Sequence, residues 1–271
     1  MSYKPLELGG RVAVVIGGTS GIGRAIAHGL AEAGADVVPT SRRMEQVEAA
    51  AAEIEGRGRR SLRVASDVAD RDSLRRVLDA SVEAFGKVDI LVNSAGRTKR
   101  APTVDFSEQD WNDIIETNLT GTLRACQVFG RHMLEREYGR IINIASLAGL
   151  VPAPAGHTLY AASKAFVIKF SEALAHEVRQ SGVHVTALCP GFTLSEFHDV
   201  TGTRDRMKRL PPWLWMDAAT VARQGFDAVM AGTPIYVNGR VNRTIATLVR
   251  FTPEWLVRSI SRRVGRTYRK L

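Results

Sequence analysis

Short apolar segments alternate with longer segments of helical periodicity along the chain. The apolar segments have the length of buried strands; they are residues 12–16, 37–38, 62–65, 90–92, 141–145, 183–188 and 235–237. Such alternation predicts βαβ units and a parallel sheet covered by helices on both faces. No linker rich in Pro, Gly or Ser interrupts the pattern. We therefore expect a single Rossmann-like α/β domain over residues 1–271, with a doubly wound parallel sheet in three layers.

A glycine-rich segment, residues 17–23, joins the first predicted strand to a helix with Ile26 and Leu30 on its apolar side. Its glycines would let the chain turn tightly, bring backbone N–H groups to a pyrophosphate and pack the helix closely on the sheet. A turn without a ligand is the alternative, but the position between a strand and a helix favours a dinucleotide site. The candidate cofactor contacts here are Gly17, Thr19, Ser20, Gly21, Ile22 and Gly23.

The second predicted strand ends in Ser41, Arg42 and Arg43, where an enzyme that uses NAD would carry an acidic side chain for the ribose hydroxyls. Arginine at this position suits the 2′-phosphate of NADP, although both arginines could instead only solvate the next helix. Asp36 is acidic but stands at the opposite end of the strand. The expected cofactor is therefore NADP, with NAD as the alternative.

Tyr160 and Lys164 are spaced by one helical turn, so their side chains would point to one side of a helix. A free tyrosine has a pKa of about 10, and a neighbouring ammonium group favours its phenolate, which would make it a usable proton donor for a carbonyl. The same pair also occurs by chance on amphipathic helices. A second unusual residue is Asn118, because an asparagine within a helix competes for backbone hydrogen bonds.

Taken in chain order, these motifs resemble the short-chain dehydrogenase/reductase family. The residues that carry the resemblance are Gly17, Gly21, Gly23, Asp67, Asn93, Ser94, Ala95, Gly96, Asn118, Ser146, Tyr160, Lys164, Pro190 and Gly191. The resemblance implies an oxidoreductase that moves hydride between NAD(P)(H) and a carbonyl or secondary alcohol. The chain up to Ser146 is similar to gluconate and 3-oxoacyl reductases, whereas the part after Tyr160 is similar to the branch that includes DltE-like oxidoreductases.

The resemblance also implies a role for each site residue. Tyr160 would be the general acid or base, and Ser146 would bind the substrate oxygen. Lys164 would lower the pKa of Tyr160 and hold the nicotinamide ribose, while Asn118 would position a water molecule that passes protons to solvent. Besides Tyr160 and Lys164, further cofactor contacts would come from Asp67, Val68, Asn93, Ala95, Gly96, Pro190, Gly191 and Thr193.

The substrate side departs more from the family pattern. The loop at residues 147–159 looks one residue longer than in the 3-oxoacyl reductases, and His157 within it would either face the substrate or lie on the surface. Substrate would enter over residues 192–216, whose aromatic side chains suggest an apolar pocket wall for a partly apolar small molecule. The candidate substrate contacts are Ser146, His157, Phe192, Phe197 and Trp213.

Composition and charge narrow the remaining classes of function. With 45% hydrophobic and 24% charged residues, the chain is typical of globular proteins. It has no signal-peptide pattern and no apolar run of the roughly 20 residues that span a bilayer, so we expect a cytoplasmic enzyme. Cys126 and Cys189 predict buried thiols, with neither a disulfide framework nor a metal site.

The net charge of +9 raises nucleic-acid binding as an alternative, but the chain has no recognised module for it and we expect no such partner. The other alternative is an NAD(P)-binding sensor or scaffold without turnover.

The helices that carry Asn118 and Tyr160 have long apolar faces, which predicts a homodimer through them, as in the family. After the last predicted strand the chain continues as a basic amphipathic tail, residues 240–271. Pro253 predicts two short helices, the second opening at or just before it. We expect the tail to pack beside residues 213–215 over the substrate cleft; the alternative is peripheral contact with an anionic membrane surface.

Overall fold

Six parallel strands form the central sheet of the computed structural model, which describes residues 7–153, 156–194 and 211–253. These strands are β1 Val12–Ile16, β2 Asp36–Thr40, β3 Ile90–Asn93, β4 Gly139–Ile144, β5 Val183–Cys189 and β8 Ile235–Val237. Their spatial order is β2-β1-β3-β4-β5-β8. A separate parallel pair consists of β6 Phe192–Leu194 and β7 Trp215–Asp217. The predicted doubly wound parallel sheet is confirmed.

Helices cover both faces of this sheet. They are α1 Gly21–Glu32, α2 Met44–Glu55, α3 Arg71–Phe85, α4 Glu108–Ile115, α5 Gly121–Glu135, α6 Thr158–Val178, α7 Ala218–Met230 and α8 Arg240–Phe251. One face packs against Ile26, Leu30 and Phe226, and the other packs against Leu74 and Phe129. Because both faces are buried, the strand segments are apolar throughout instead of alternating with polar residues.

The carboxyl end of β1 is the topological switch point of the sheet, because the chain continues to β2 on one side of β1 and then to β3 on the other. Ile16 pairs with Thr40 of β2 on one side and with Asn93 of β3 on the other. In sheets of this kind a crevice opens between the loops that follow the two strands, and ligands bind there. The glycine segment, residues 17–23, follows Ile16 directly into this crevice.

The strand predicted at residues 62–65 is not formed, and Pro39 of β2 supplies the reason. On the outer edge of β2, Val37 N donates to Arg60 O at 3.1 Å. The next donor on the same edge would belong to Pro39, which has no N–H. The Thr40 hydroxyl instead donates to a carbonyl group within the segment at 2.6 Å. The segment therefore follows β2 without a continuous ladder of hydrogen bonds.

Helix α4 begins directly after Ser107, whose Oγ accepts a hydrogen bond from Asp110 N at 3.1 Å and so caps the first turn. This helix is not continuous: a π-helical turn, Glu116–Thr120, separates α4 from α5 and contains Asn118. Turns of this kind within α-helices are frequent at functional sites. The residue that looked unfavourable within a regular helix thus lies where the helix changes its geometry.

The first of the two predicted tail helices is confirmed as α8, whereas the second falls within residues 254–271, outside the described residues. On the apolar side of α8, Leu248 is 62% exposed and Phe251 is 77% exposed. These two side chains do not pack on the rest of the domain, so the expected packing of the tail is wrong for this part of α8. Within the described ranges, none of the helices has both the length and the apolar character needed to cross a bilayer.

Candidate active site

Three of the four predicted catalytic side chains come together where β4 and α6 meet. Ser146 follows β4 and caps a short turn, Leu147–Gly149, while Tyr160 and Lys164 lie near the start of α6. The Ser146 hydroxyl is hydrogen-bonded to the Tyr160 phenol. Lys164 Nζ lies 5.8 Å from the centroid of the Tyr160 ring and donates to Ile144 O at 2.7 Å. The spacing of one helical turn therefore does bring the phenol and the ammonium group into one site.

Asn118, the fourth predicted residue, is fixed by three hydrogen bonds. Its Oδ1 accepts from Arg97 N at 2.8 Å, and its Nδ2 donates to Arg97 O at 2.9 Å and to Ser163 Oγ at 3.2 Å. A Cβ atom at Gly96 would lie 3.6 Å from Asn118 Oδ1 and 3.7 Å from Lys164 Nζ. The amide and the ammonium group thus face the same small space, which the missing side chain of Gly96 leaves open.

Burial dominates the ionisation of Tyr160 and Lys164. It raises the pKa of Tyr160 above its usual value, although the hydrogen bond with Ser146 and the charge of Arg100 act in the opposite direction. Burial also lowers the pKa of Lys164 to about 8, against the opposing effect of the Cys189 thiol. The predicted lowering of the Tyr160 pKa is wrong for this structure. The ammonium group is buried and bonded to a main-chain carbonyl, so it does not offset the cost of burying the phenolate.

The glycine segment packs against the loop after β3 without room for side chains. A Cβ atom at Gly23 would lie 2.1 Å from Gly17 O, and one at Gly17 would lie 2.6 Å from Ala95 N. Gly17 and Gly21 also have positive φ angles of 75° and 54°. Helix α1 begins at Gly21 without a side-chain cap, so its first N–H groups can bind an anion. This backbone cradle fits the pyrophosphate of a dinucleotide.

The other predicted residues of the glycine segment lie at the same crevice. Thr19 Oγ1 lies 3.4 Å from Gln46 Oε1 of α2, and Ser20 occupies the N-cap position of α1. Ile22 packs against the core and anchors the first turn of the helix. Thr19 and Ser20 are therefore the two side chains of this segment placed to contact a ligand.

Ser41, Arg42 and Arg43 follow β2 at the same end of the sheet. Both arginines are exposed, and Ser41 Oγ is buried without a hydrogen-bond partner among the described residues. A buried hydroxyl that lacks a partner, beside two exposed guanidinium groups, fits the extra phosphate of NADP. Asp36 cannot replace it as a ribose ligand, because its carboxylate lies at the opposite end of β2 and pairs with Arg60 Nη2 at 2.7 Å.

Val68 and Asn93 are buried, whereas Asp67 is half-buried and its side chain is engaged locally. Asp67 Oδ1 accepts from the backbone N–H two residues later at 2.9 Å, and Val68 is buried against Gly121. Asn93 Nδ2 donates to Asn143 Oδ1 at 2.8 Å inside the core. Asn93 can therefore contact a cofactor only through its main chain, while its side chain links β3 to β4.

Pro190 and Gly191 form the loop between β5 and β6 on the far side of the crevice, and Thr193 follows within β6. Pro190 O accepts from Leu147 N at 2.9 Å, and Thr193 Oγ1 donates to Gly191 O at 3.2 Å. A Cβ atom at Gly191 would lie 2.4 Å from Asn242 Nδ2 of α8. The loop is thus held between the Ser146 turn and the last described helix.

The predicted substrate contacts lie in two places: His157 is beside Tyr160, and the aromatic residues belong to the segment at residues 192–216. His157 lies beside Tyr160, with 6.2 Å between the two ring centroids in an edge-on arrangement. Phe192 and Trp215 pack together with 5.7 Å between ring centroids, whereas Trp213 is 64% exposed. Phe197 lies outside the described residues. Of the predicted apolar wall, Phe192 is in place and Trp215 is its partner.

Three residues near the site were not predicted from the sequence. Ser163 supports Asn118, Asn242 contacts the Gly191 loop, and the charge of Arg100 acts on Tyr160. Ser163 could have been found from its position beside Lys164 on the same helix. Arg100 and Asn242 lie in basic segments whose other polar residues face solvent, so the sequence offered no signal to distinguish them.

The comparisons with known proteins agree with this geometry. The profile of the family described as short chain dehydrogenase matches residues 11–205. A 3-oxoacyl-acyl-carrier-protein reductase of Haemophilus influenzae is 34% identical over 239 residues, covering 85% of this chain and 97% of the relative. A D-threitol dehydrogenase of Mycolicibacterium smegmatis is 41% identical over 209 residues, covering 76% and 80%. The solved gluconate 5-dehydrogenase of Burkholderia cenocepacia, in complex with NADP and tartrate, superposes with a TM-score of 0.79 at 28% identity, covering 89% of this chain and 98% of that chain.

A dinucleotide crevice beside a Ser, Tyr and Lys cluster defines a nicotinamide-dependent oxidoreductase. The chain belongs to the short chain dehydrogenase family, as the matched profile and the identity to the two relatives show. The predicted family resemblance is therefore confirmed, while the likeness of the C-terminal part to DltE-like oxidoreductases stays a prediction.

Proposed function

We propose that this chain is an NADP(H)-preferring oxidoreductase that interconverts a carbonyl group and a secondary alcohol, with Tyr160 as general acid or base. The observation that carries the proposal is the hydrogen bond of Tyr160 with Ser146, one helical turn from the buried Lys164. This cluster stands at the mouth of the glycine-lined crevice, where a nicotinamide ring and a substrate carbonyl would meet.

The residues at the crevice fit NADP. The N–H groups at the start of α1 would bind the pyrophosphate, and Ser41 and Arg42 would bind the 2′-phosphate. Lys164 and Tyr160 would contact the nicotinamide ribose. The bound cofactor would supply or accept the hydride, and the protein would supply orientation and proton transfer. The gluconate 5-dehydrogenase that resembles this chain is an NADP complex, which supports the assignment.

In the reducing direction, Ser146 donates a hydrogen bond to the substrate oxygen and Tyr160 transfers its proton to that oxygen. The raised pKa keeps Tyr160 protonated at neutral pH, so the acid is present when substrate binds. The charge of Arg100, which acts to lower the pKa of Tyr160, favours the phenolate left after transfer. Asn118, fixed by its hydrogen bonds to Arg97, would hold the water molecule that restores the proton from solvent.

We further infer a homodimer built through α4, α5 and α6. These helices carry exposed apolar side chains, including Trp111 at 53% exposure and Phe166 at 42%. Phe166 stacks on Phe170 at 5.9 Å, which gives this surface a flat aromatic patch. Light scattering should give twice the mass of the chain, and a stable monomer would contradict the inference. The cytoplasmic location stays a prediction, and membrane contact of the tail stays the alternative to packing.

Following nicotinamide absorbance with a panel of ketones and secondary alcohols, under both NADPH and NADH, tests the proposed function. We expect turnover with at least one carbonyl compound and a preference for NADPH. Tight binding of NADPH with no turnover of any compound would favour the sensor or scaffold instead. No binding of either dinucleotide would refute both.

A further inference from the structure

Helix α8 buries a polar side chain and exposes apolar ones. Among its residues, all of which lie in the described range 211–253, Asn242 alone is buried, at 3% exposure, whereas Leu248 and Phe251 are exposed. Burying an amide group costs free energy unless new hydrogen bonds and contacts offset the loss of water. Apolar packing therefore does not explain the position of Asn242, and its contacts have to.

Asn242 lies directly against the main chain of Gly191, in the loop between β5 and β6. A Cβ atom at Gly191 would lie 2.4 Å from Asn242 Nδ2, 2.6 Å from its Oδ1 and 2.7 Å from its Cγ. The φ angle of Gly191 is not positive, so the backbone conformation does not demand glycine here. Glycine is required because the amide group of Asn242 occupies the space of a side chain.

The amide group of Asn242 is itself anchored to the domain. Its Nδ2 donates to Asn238 O at 2.8 Å, and Asn238 N donates to Cys189 O of β5 at 3.3 Å. Gln224 Oε1 of α7 accepts from Asn238 Nδ2 at 3.3 Å and from Gly239 N at 3.1 Å. Because these bonds join α7, β5 and the start of α8, Asn242 offers Gly191 a fixed support.

The opposite end of this loop contact reaches the Ser146 turn. Pro190 O accepts a hydrogen bond at 2.9 Å from Leu147 N, which follows Ser146 directly. The Ser146 hydroxyl in turn accepts from Ala148 N at 3.1 Å and so caps the same turn. The main chain at residues 190–191 is therefore held between Asn242 and the turn that carries the predicted substrate-binding serine.

In the proposed function, this loop contacts the nicotinamide end of the cofactor. Hydride transfer requires reacting atoms about 3–3.5 Å apart, and a misplacement of about 1 Å can cost roughly a hundredfold in rate. A loop that is supported on one side and bonded to the Ser146 turn on the other would keep the nicotinamide ring at a constant distance from Ser146.

We propose that Asn242 is a positioning residue for hydride transfer. Its amide group fixes the main chain of Gly191, and thereby the nicotinamide ring relative to Ser146. Asn242 acts through Gly191 and does not touch the reacting atoms. This inference rests on the proposed function and adds to it a residue outside the predicted site, in the first turn of the basic tail.

The test exchanges the space between the two residues. Gly191→Ala should displace the loop, because its methyl group would overlap the amide group of Asn242, and Asn242→Ala should remove the support. For the ketone that the wild type reduces fastest, we expect each variant to lose roughly tenfold to a hundredfold in kcat, with a smaller change in KM.

The primary kinetic isotope effect, measured with NADPH deuterated at the transferred position, should rise in both single variants. The reason is that hydride transfer then becomes slow relative to product release. In the double variant the methyl group enters the space that the amide group has left. We therefore expect the double variant to have a higher kcat than Gly191→Ala alone.

Gly225→Ala is the matched control, because a Cβ atom there would lie 2.5 Å from Leu188 Cδ2 and would not meet Asn242. It should lower the urea midpoint without raising the isotope effect, and adding Asn242→Ala should not restore it. Equal recovery of Gly225→Ala and Gly191→Ala by Asn242→Ala would overturn the positioning role. A wild-type kcat and isotope effect in Asn242→Ala would overturn it as well, and both results would leave the proposed function intact.

Fluorescence titration with NADPH distinguishes these failures from failure of the proposed function. The dissociation constant of NADPH should rise in Gly191→Ala and return toward the wild-type value in the double variant. The same recovery in a protein whose wild type reduces no ketone would refute the proposed function and keep Asn242 as a residue that positions the dinucleotide. A double variant that improves neither NADPH binding nor kcat over Gly191→Ala would refute the positioning role.

Discussion

The cofactor side and the substrate side of the crevice are built in opposite ways. On the cofactor side, backbone meets backbone so closely that a methyl group at Gly23 would lie 2.1 Å from a carbonyl oxygen. On the substrate side, large side chains form the surface, and Trp213 is 64% exposed. A dinucleotide needs a fixed backbone cradle, whereas a substrate is recognised by the side chains beside it. The first requirement restricts the sequence tightly, and the second leaves it variable.

Tyr160→Phe should have the largest effect, because the two sides meet at this phenol. The ring would pack as before, but the transferable proton would be absent, so we expect kcat to fall by at least roughly a hundredfold. The dissociation constant of NADPH, followed by fluorescence titration, should stay unchanged. Turnover close to that of the wild type would remove Tyr160 from the mechanism.

Gly23→Ala should perturb only the cofactor side of the crevice. The new methyl group has no space beside Gly17 O, so the segment must shift, and we expect a stability loss of about 1–3 kcal/mol with weaker NADPH binding. Gly130→Ala in α5 is the matched control, because a Cβ atom there meets nothing within 4 Å. This control should be about 0.5–1 kcal/mol more stable than the wild type, since alanine favours helices. Urea unfolding measures both variants.

Arg42→Ala tests which dinucleotide the cradle selects. Loss of a charge-assisted contact of about 1.5–3 kcal/mol should reduce the preference for NADPH over NADH by roughly 10- to 150-fold. Arg75→Ala, which removes an exposed arginine of α3, should leave the preference unchanged. Equal dissociation constants of NADPH and NADH for the wild type would show that Arg42 does not bind the 2′-phosphate.

The smallest expected effect is the pH dependence of stability contributed by His157. Its folded pKa of about 4 lies below the value of about 6.5 of an unfolded histidine, so the unfolded chain binds more protons between these values. The stability that His157 contributes is thus fully present above pH 6.5 and is lost as the pH falls toward 4.

Urea unfolding at pH 7 and at pH 4.5 should show the wild type losing more stability on acidification than His157→Gln does. The same substitution at His176, which is exposed on α6, controls for the loss of a histidine. Identical losses in the wild type and in His157→Gln would mean that His157 is not buried in solution.

The sequence predicted the fold well because the alternation of apolar segments reports a sheet buried on both faces. The Ser107 cap and the Tyr160 and Lys164 spacing were also readable, since each depends on a few neighbouring positions. Cys126 and Cys189 are buried free thiols, as predicted. What depends on contacts distant in sequence was not readable, such as the burial that raises the pKa of Tyr160 or the hydrogen bonds between Asn118 and Arg97.

The strand predicted at residues 62–65 failed for a different reason. Its apolar residues Leu62 and Val64 do pack against the core beside the sheet, although they are only partly buried. The sequence does not show which edge of β2 the N–H of residue 39 would face. The structure shows that it would face the outer edge, because Val37 N, two residues earlier, donates to Arg60 O there. The effect of a proline on strand pairing can thus be predicted only when the edge that its missing N–H would face is known.

Pro39 also decides where this sheet can grow. An open strand edge offers a row of N–H and C=O groups on which a strand of another molecule can pair, which is a common start of aggregation. At the β2 edge one donor is absent, and the amide of Val37 is already bonded to Arg60 O. A foreign strand would find neither a regular register nor a complete set of partners there. The missing donor of Pro39 and the segment at residues 60–66, which bonds to this edge, together leave no open ladder on which a foreign strand could pair.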